Sequence, residues 1–269
     1  MFWNYFDNRY NSDGDKLKKN IAYQSPEISQ YYAKHRIKWE DFYDSEKLII
    51  EKLGIQNDHE ILDIGSGCGG LGLVLKEKFG VNRYTGIEVN QMAARIATKL
   101  NPDAKILCGD FLTLSNSVIL NQTFNSVFSL SCIDWNIQFD EMLSSAWSHV
   151  SDGGALIATF RMVAGEGCDD INMSYQHINF NGEMSGEHAA YVVLNAKELL
   201  SKLMALLPSS ITAYGYFGKP SLTAVTPYKK LCFGGFLIRK KILGSDNDIG
   251  TKLDLNLPEE ILKSLGLII

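Results

Sequence analysis

Glu60-Ile61-Leu62-Asp63-Ile64-Gly65-Ser66-Gly67-Cys68-Gly69-Gly70 is a short apolar run that ends in a cluster of glycines. Leu71–Phe79 follows with helical spacing, so the glycines sit between a strand and a helix. Glycines at such a junction permit a tight turn and let a ligand approach the backbone closely. Gly65, Gly67 and Gly70 also satisfy GxGxxG, the dinucleotide fingerprint. Taken alone, the stretch marks a ligand site at the end of a first strand without choosing the ligand.

Working outward, the rhythm continues downstream. Tyr84–Val89, Ala104–Cys108, Ser126–Leu130 and Ala155–Phe160 read as strands, with Asp152-Gly153-Gly154 as a turn before the last of them. Gln91–Leu100 and Phe139–His149 read as helices between them. Strands alternating with helices predict an α/β fold, a mostly parallel sheet with helices on both faces. Residues 162–190 lose the rhythm and are rich in Gly, Asn and Glu. Asn195 then caps a helix through Leu207, two late strands lie near Thr212–Phe217 and Leu231–Arg239, and a terminal helix starts near Pro258. Upstream, residues 1–57 are polar and aromatic, with helical spacing from Ser25 to Leu53. The expected organisation is an N-terminal helical extension over 1–57, a core domain over 58–243 with an insertion near 162–190, and a linker with helix over 244–269.

Four elements recur at the C-terminal ends of successive strands, where open parallel sheets bind ligands: Asp63, Glu88, Asp110, and Ser131-Cys132-Ile133-Asp134-Trp135. Asp63 discriminates between ligands. A carboxylate before the glycine loop would repel a pyrophosphate, whereas S-adenosylmethionine brings an ammonium and a sulfonium, both positive. Glu88 is placed to accept hydrogen bonds from ribose hydroxyls, Asp110 from an adenine amine, and Phe111 to cover the ring. Ser66, Val89 and Ser131 flank these positions and complete the expected cofactor set.

EILDIGSGCGG, YTGIEVN, CGDF and FNSVFSLSCIDW together resemble the class I S-adenosylmethionine-dependent methyltransferases, over residues 58–161 above all. The resemblance implies a Rossmann-like seven-stranded sheet whose last strand runs antiparallel. It also implies that Glu88 holds the ribose, Asp110 the adenine amine, and Asp63 with the glycine loop the methionine end. HRIKWEDFYDSE and EHAAYVVLNAKEL are similar to bacterial members found among genes for surface polysaccharides and small metabolites. The Asn- or Asp-Pro-Pro-aromatic motif of enzymes that methylate the exocyclic amine of DNA bases is absent after the fourth strand, where Ser131-Cys132-Ile133-Asp134 stands.

Composition narrows the partners. The 269 residues carry a net charge of −5 and no long basic run, which argues for a small-molecule substrate over nucleic acid. The stretch MFWNYFDNRY has no apolar run of signal-peptide length, and no segment nears the roughly 18 apolar residues of a membrane span. A cytoplasmic protein is expected. The five cysteines form no CxxC pair, so neither a metal site nor a disulfide framework is expected.

The predicted reaction is methyl transfer to an oxygen of a small metabolite or a sugar- or phosphate-linked intermediate. A protein or RNA acceptor, and a cofactor-binding partner without catalysis, stay open as alternatives. A hydroxyl acceptor needs a base, and His177, His188 and Asp134 are the candidates. Arg161, at the end of the fifth strand, suits either an anionic substrate or a local carboxylate. Residues 1–45 are too aromatic for a disordered tail; they are expected to fold over the cofactor, with Tyr10, Tyr31 and Arg36 reaching the pocket.

Overall fold

The computed structural model describes residues 26–115, 121–179, 181–244 and 250–267. Tyr10 and the rest of residues 1–25 lie outside the described residues. In chain order the elements are α1 (Pro26–Tyr32), α2 (Asp44–Leu53), β1 (Glu60–Ile64), α3 (Gly70–Phe79), β2 (Arg83–Glu88), α4 (Gln91–Leu100) and β3 (Lys105–Cys108). Then come α5 (Phe111–Ser115), β4 (Phe124–Ser129), α6 (Phe139–Ser148), β5 (Val150–Val163), β6 (Tyr175–Ile178), β7 (Glu187–Ala190) and β8 (Leu194–Asn195). The chain continues through α7 (Ala196–Ala205), β9 (Ser210–Gly218), β10 (Ala224–Val225), β11 (Leu231–Arg239), β12 (Lys252–Asn256) and α8 (Glu259–Ser264).

The main sheet has the order β12-β9-β11-β5-β4-β1-β2-β3, with β8 paired to β5. Strands β1 to β5 run parallel, and β11 runs antiparallel to both β5 and β9. The seven expected strands are therefore present in a mostly parallel α/β sheet. Two more join them: the two-residue β8, and β12, which lies parallel to β9 at the edge. The stretch expected as a C-terminal linker thus contributes an edge strand. Its sequence, KLDLN, is short and mostly exposed, a pattern that sheet edges share with polar loops.

Period-two alternation sends successive strand residues to opposite faces. Leu62, Ile64, Leu156, Ala158 and Phe160 join a core with α6 and α7. Ile61, Ala155 and Ile157 join a second core with α2 and α3 on the other face. The predicted Asp152-Gly153-Gly154 turn lies inside β5. It survives as a break in the β4–β5 register, with Gly153 at φ +72°.

Residues 162–190 are more ordered than their composition suggests. They contain β6 and β7, an antiparallel hairpin to which β10 adds a third strand. Among the described residues no helix is long and apolar enough to cross a membrane.

Phe160, 1% exposed, packs its ring against Phe139 and Phe236 at 5.6 and 5.5 Å between centroids. Phe160→Ala should therefore lower stability by about 3–5 kcal/mol, read as an earlier urea midpoint with unchanged slope.

Candidate active site

The strand order reverses between β1 and β4, and the loops that leave these two strands enclose a crevice. This is where open α/β sheets take ligands. Here it forms a cavity of about 670 Å³.

Its floor is the glycine loop. Gly65 has φ +74°, and a Cβ there would lie 2.6 Å from Cys132 Sγ, so no other residue fits. The Gly65 and Ser66 N–H groups both donate to Ile87 O at 2.9 Å, which ties the loop to β2. Gly67 N–H donates to Glu88 Oε2 at 2.8 Å, and Asn90 N–H to Glu88 Oε1 at 2.7 Å. Burial raises the Glu88 carboxyl above its ordinary range, and these backbone donors oppose the rise.

Asp63 is buried beside it. Tyr84 donates its phenolic O–H to Asp63 Oδ2 at 2.5 Å. Desolvation pushes the Asp63 carboxyl up to about 7; Tyr84 and Arg36 pull it down, and Glu88 pushes it up further. Val89, Gly109, Phe111 and Ser131 also line the cavity. Ser131 is a non-glycine residue at φ +53°, with its N–H held by Thr159 Oγ1 at 2.7 Å. Backbone strain of this kind is concentrated at functional sites.

One wall comes from the N-terminal segment. Arg36, at φ +62°, places its carbonyl oxygen over Gly70, where a Cβ would come within 1.9 Å of it. Arg36 Nη2 contacts both carboxylate oxygens of Glu46, at 3.0 and 3.1 Å, and the Glu46 side chain is 1% exposed. Tyr32, His35 and Arg36 line the cavity. Tyr31, the expected contact, does not line it: one helical position earlier, it is 44% exposed and its ring lies 3.9 Å from that of His35.

The opposite wall corrects the expected bases. His177 and His188 are cross-strand partners in the β6–β7 hairpin, with ring centroids 4.4 Å apart. Their neighbours Gln176 and Ile178 line the cavity, and strand alternation turns the two histidines to the other face. Asp134 does line the cavity, where one of its oxygens is held in a buried ion pair and Oδ1 has no hydrogen-bond partner in the protein. Its Oδ2 accepts from Arg161 Nε at 2.8 Å, and its backbone carbonyl accepts from Arg161 Nη2. Burial raises the Asp134 carboxyl and Arg161 lowers it. The guanidinium is also flanked by Tyr191 and Trp135, at 3.8 and 4.4 Å from their ring centroids. Asp110 Oδ1 accepts from Thr113 N–H at the start of α5, and Gly109 and Phe111 on either side line the cavity.

Tyr84, Tyr32, His35, Thr159, Gln176 and Lys219 were not anticipated. The alternation of the fifth strand could have flagged Thr159, which shares a face with Arg161. Nothing local marks the others. Among the described residues no group of three or more His, Cys, Asp or Glu is placed to hold a metal ion.

Residues 61–154 match the family profile of a methyltransferase domain. No curated protein matches the chain. Among solved structures it is similar to a phosphoethanolamine N-methyltransferase of Haemonchus contortus, in complex with phosphomonomethylethanolamine and S-adenosylhomocysteine. That match has 15% identity and a TM-score of 0.51, over 74% of this chain and 53% of that one. The chain therefore spans about half the length of the worm enzyme. It is also similar to a methyltransferase candidate of Bacillus halodurans, at 10% identity and TM-score 0.52 over 74% of this chain and 100% of that one. The cyclase SpnF is a third, at 15% identity and TM-score 0.52 over 83% and 98% of the two chains.

The Arg36–Gly70 contact yields a direct test. Gly70→Ala should lift the segment off the loop, because a methyl group cannot share space with a carbonyl oxygen. Limited proteolysis within residues 29–43 should accelerate several-fold while the remaining domain stays resistant. An unchanged cleavage rate would show that the contact is not needed to seat the segment.

Proposed function

We propose that the chain, whose residues 61–154 match a methyltransferase domain, is a class I S-adenosylmethionine-dependent methyltransferase that methylates an oxygen of a small, anionic metabolite. The sugar- or phosphate-linked intermediates expected from the sequence belong to this class. The observation that carries the reading is the walled cavity. Its volume of about 670 Å³ falls within the roughly 300–1,000 Å³ of small-molecule sites. It is bounded by residues 32–46 on one side, the β6–β7 hairpin on another, and Gly218–Ser221 at the mouth. A folded protein or an RNA surface would need an open groove in place of these walls.

The residues present fit the cofactor. Glu88, its carboxylate fixed by two backbone N–H groups, would hold the ribose hydroxyls. Phe111 and Val89 would flank the adenine. Asp63 with Gly65, Ser66 and Gly67 would hold the methionine end. Ser66 Oγ is buried without a hydrogen-bond partner in the protein, so a ligand donor or acceptor would satisfy it. Residues 29–46 would close over the site as a lid, with Arg36 beside Asp63. The bound cofactor supplies a methyl group on a sulfonium leaving group.

The protein's share of the chemistry is position. Holding the acceptor in line supplies about 7–11 kcal/mol in favourable cases. Arg161 is locked by Asp134, Trp135 and Tyr191, so it presents a rigid wall. Lys219 lines the mouth and forms no ion pair among the described residues. A lone cation there favours an acceptor that carries a phosphate or carboxylate, whose ionised oxygen needs no base.

Two outcomes test this reading. Glu88→Ala should weaken S-adenosylhomocysteine binding about ten- to hundred-fold, since a hydrogen bond to an ionised group is worth roughly 1.5–3 kcal/mol; calorimetry reads it, and an unchanged affinity sinks the cofactor assignment. In a labelled-cofactor assay on a metabolite panel, His177→Ala and His188→Ala should keep wild-type turnover. Lys219→Ala should raise the acceptor KM several-fold with kcat retained. A large fall in kcat for either histidine variant would return the base to the hairpin.

A further inference from the structure

Tyr84 is the second residue of β2, with its ring in the second core, and Gly72 of α3 makes room for it. A Cβ at Gly72 would lie 2.8 Å from the ring. A phenylalanine would fill the same space. What the hydroxyl adds is the 2.5 Å hydrogen bond to Asp63 Oδ2, wholly inside the protein. Burial, and then the Asp63 charge, hold the phenol well above its ordinary range, so it stays protonated and donates.

We propose that Tyr84 is a positioning residue for the cofactor: its phenol holds Asp63 ionised, with one oxygen occupied and the other left for the ligand's ammonium, and thereby sets the pH range in which the cofactor binds. The proposal rests on the reading of this cavity as the cofactor site.

Several titratable groups face Asp63. Tyr84 and Glu88 do so from β2, Arg36 from the segment before α2, and Cys132 from the loop after β4. The Cys132 thiol is pushed up by burial and then by Glu88, Asp134 and Asp63, so it stays neutral. Arg36 is always charged. Burial pushes the Asp63 carboxyl up to about 7; His35 lines the same cavity, and the Asp63→Asn variant separates its influence from that of Asp63.

The sign follows. An ammonium gains from the carboxylate and loses from the neutral acid. Affinity should be high above the Asp63 midpoint and fall by about tenfold per pH unit below it. The Tyr84 hydrogen bond favours the ionised form, so removing it moves the midpoint to higher pH. The contrast is sharpest between about pH 5.5 and 7.5, below the range where an α-amino group titrates.

The experiment is calorimetry across that range with two probes. S-adenosylhomocysteine carries the amino-acid end; 5′-methylthioadenosine shares the nucleoside thioether and lacks it. For the full chain, affinity for the first should fall on acidification and affinity for the second should stay flat. In Tyr84→Phe the fall should begin at higher pH, with the two proteins converging at the alkaline end. Asp63→Asn should bind the first probe weakly and without pH dependence. Should Tyr84→Phe fail to fold, Gly72→Ala displaces the same phenol without deleting it and should shift the profile the same way. Identical pH profiles for Tyr84→Phe and wild type overturn the proposal, as does an equal fall for both probes. Neither result touches the cofactor assignment, which fails instead if neither probe binds at any pH.

Discussion

Asp63 and Glu88 are two carboxylates buried at the ends of adjacent parallel strands, and the surrounding structure is arranged to make that burial tolerable. Removing a carboxylate from water costs several kcal/mol unless hydrogen bonds replace the solvent. Glu88 is served by the N–H groups of Gly67 and Asn90, Asp63 by the phenol of Tyr84. These partners dictate local conformation. The glycine loop curls back so that Gly67 N–H reaches across to β2, and Gly72 leaves a notch in α3 for the Tyr84 ring. Because the Glu88 charge adds to the burial that resists Asp63 ionisation, the pair is poised for a positive ligand. A pyrophosphate would meet the same pair as a barrier. The glycine pattern alone tolerates either ligand; the carboxylates decide.

The same logic recurs on the acceptor side with the opposite outcome. Arg161 and Asp134 are each 3% exposed and neutralise one another. The pair is rigid, since the guanidinium is also flanked by Trp135 and Tyr191. Such a pair stabilises little in net terms, because desolvation offsets attraction. Its value lies in fixing the end of β5 and the turn after β4 to each other. Ser131, strained at φ +53°, sits between these anchors.

The core of the fold was legible because its signals are local. EILDI followed by glycines, YTGIEV and CGDF each announce a strand end, and the parallel sheet follows from their alternation with helices. The polar edge strand β12 was missed because KLDLN pairs only on one side, so its residues need not be apolar. The hairpin β6–β7 was missed for a similar reason: its four-residue strands are half-exposed. At the site, residues fixed by the glycine loop and by strand ends were readable, Asp63, Gly65, Gly67 and Glu88 among them. Tyr84 was not, because its partner lies 21 residues away and nothing in YTGIEV distinguishes a core tyrosine from one that serves a carboxylate.

The histidines show why proximity in sequence to a ligand-side loop is a weak guide to chemistry. In a strand the side-chain period is two, so one residue of register exchanges the face that meets the cavity for the face that meets solvent. Had the register of β6 slipped by one position, Tyr175 and His177 would line the cavity in place of Gln176 and Ile178. In the observed register the hairpin offers an amide and an apolar side chain, backed by Ala189 against Trp135. The cavity lining then brings together the locked guanidinium of Arg161, the carboxamide of Gln176 and the side chain of Lys219. Residues of the segment before α2 and of the β6–β7 hairpin both line this cavity.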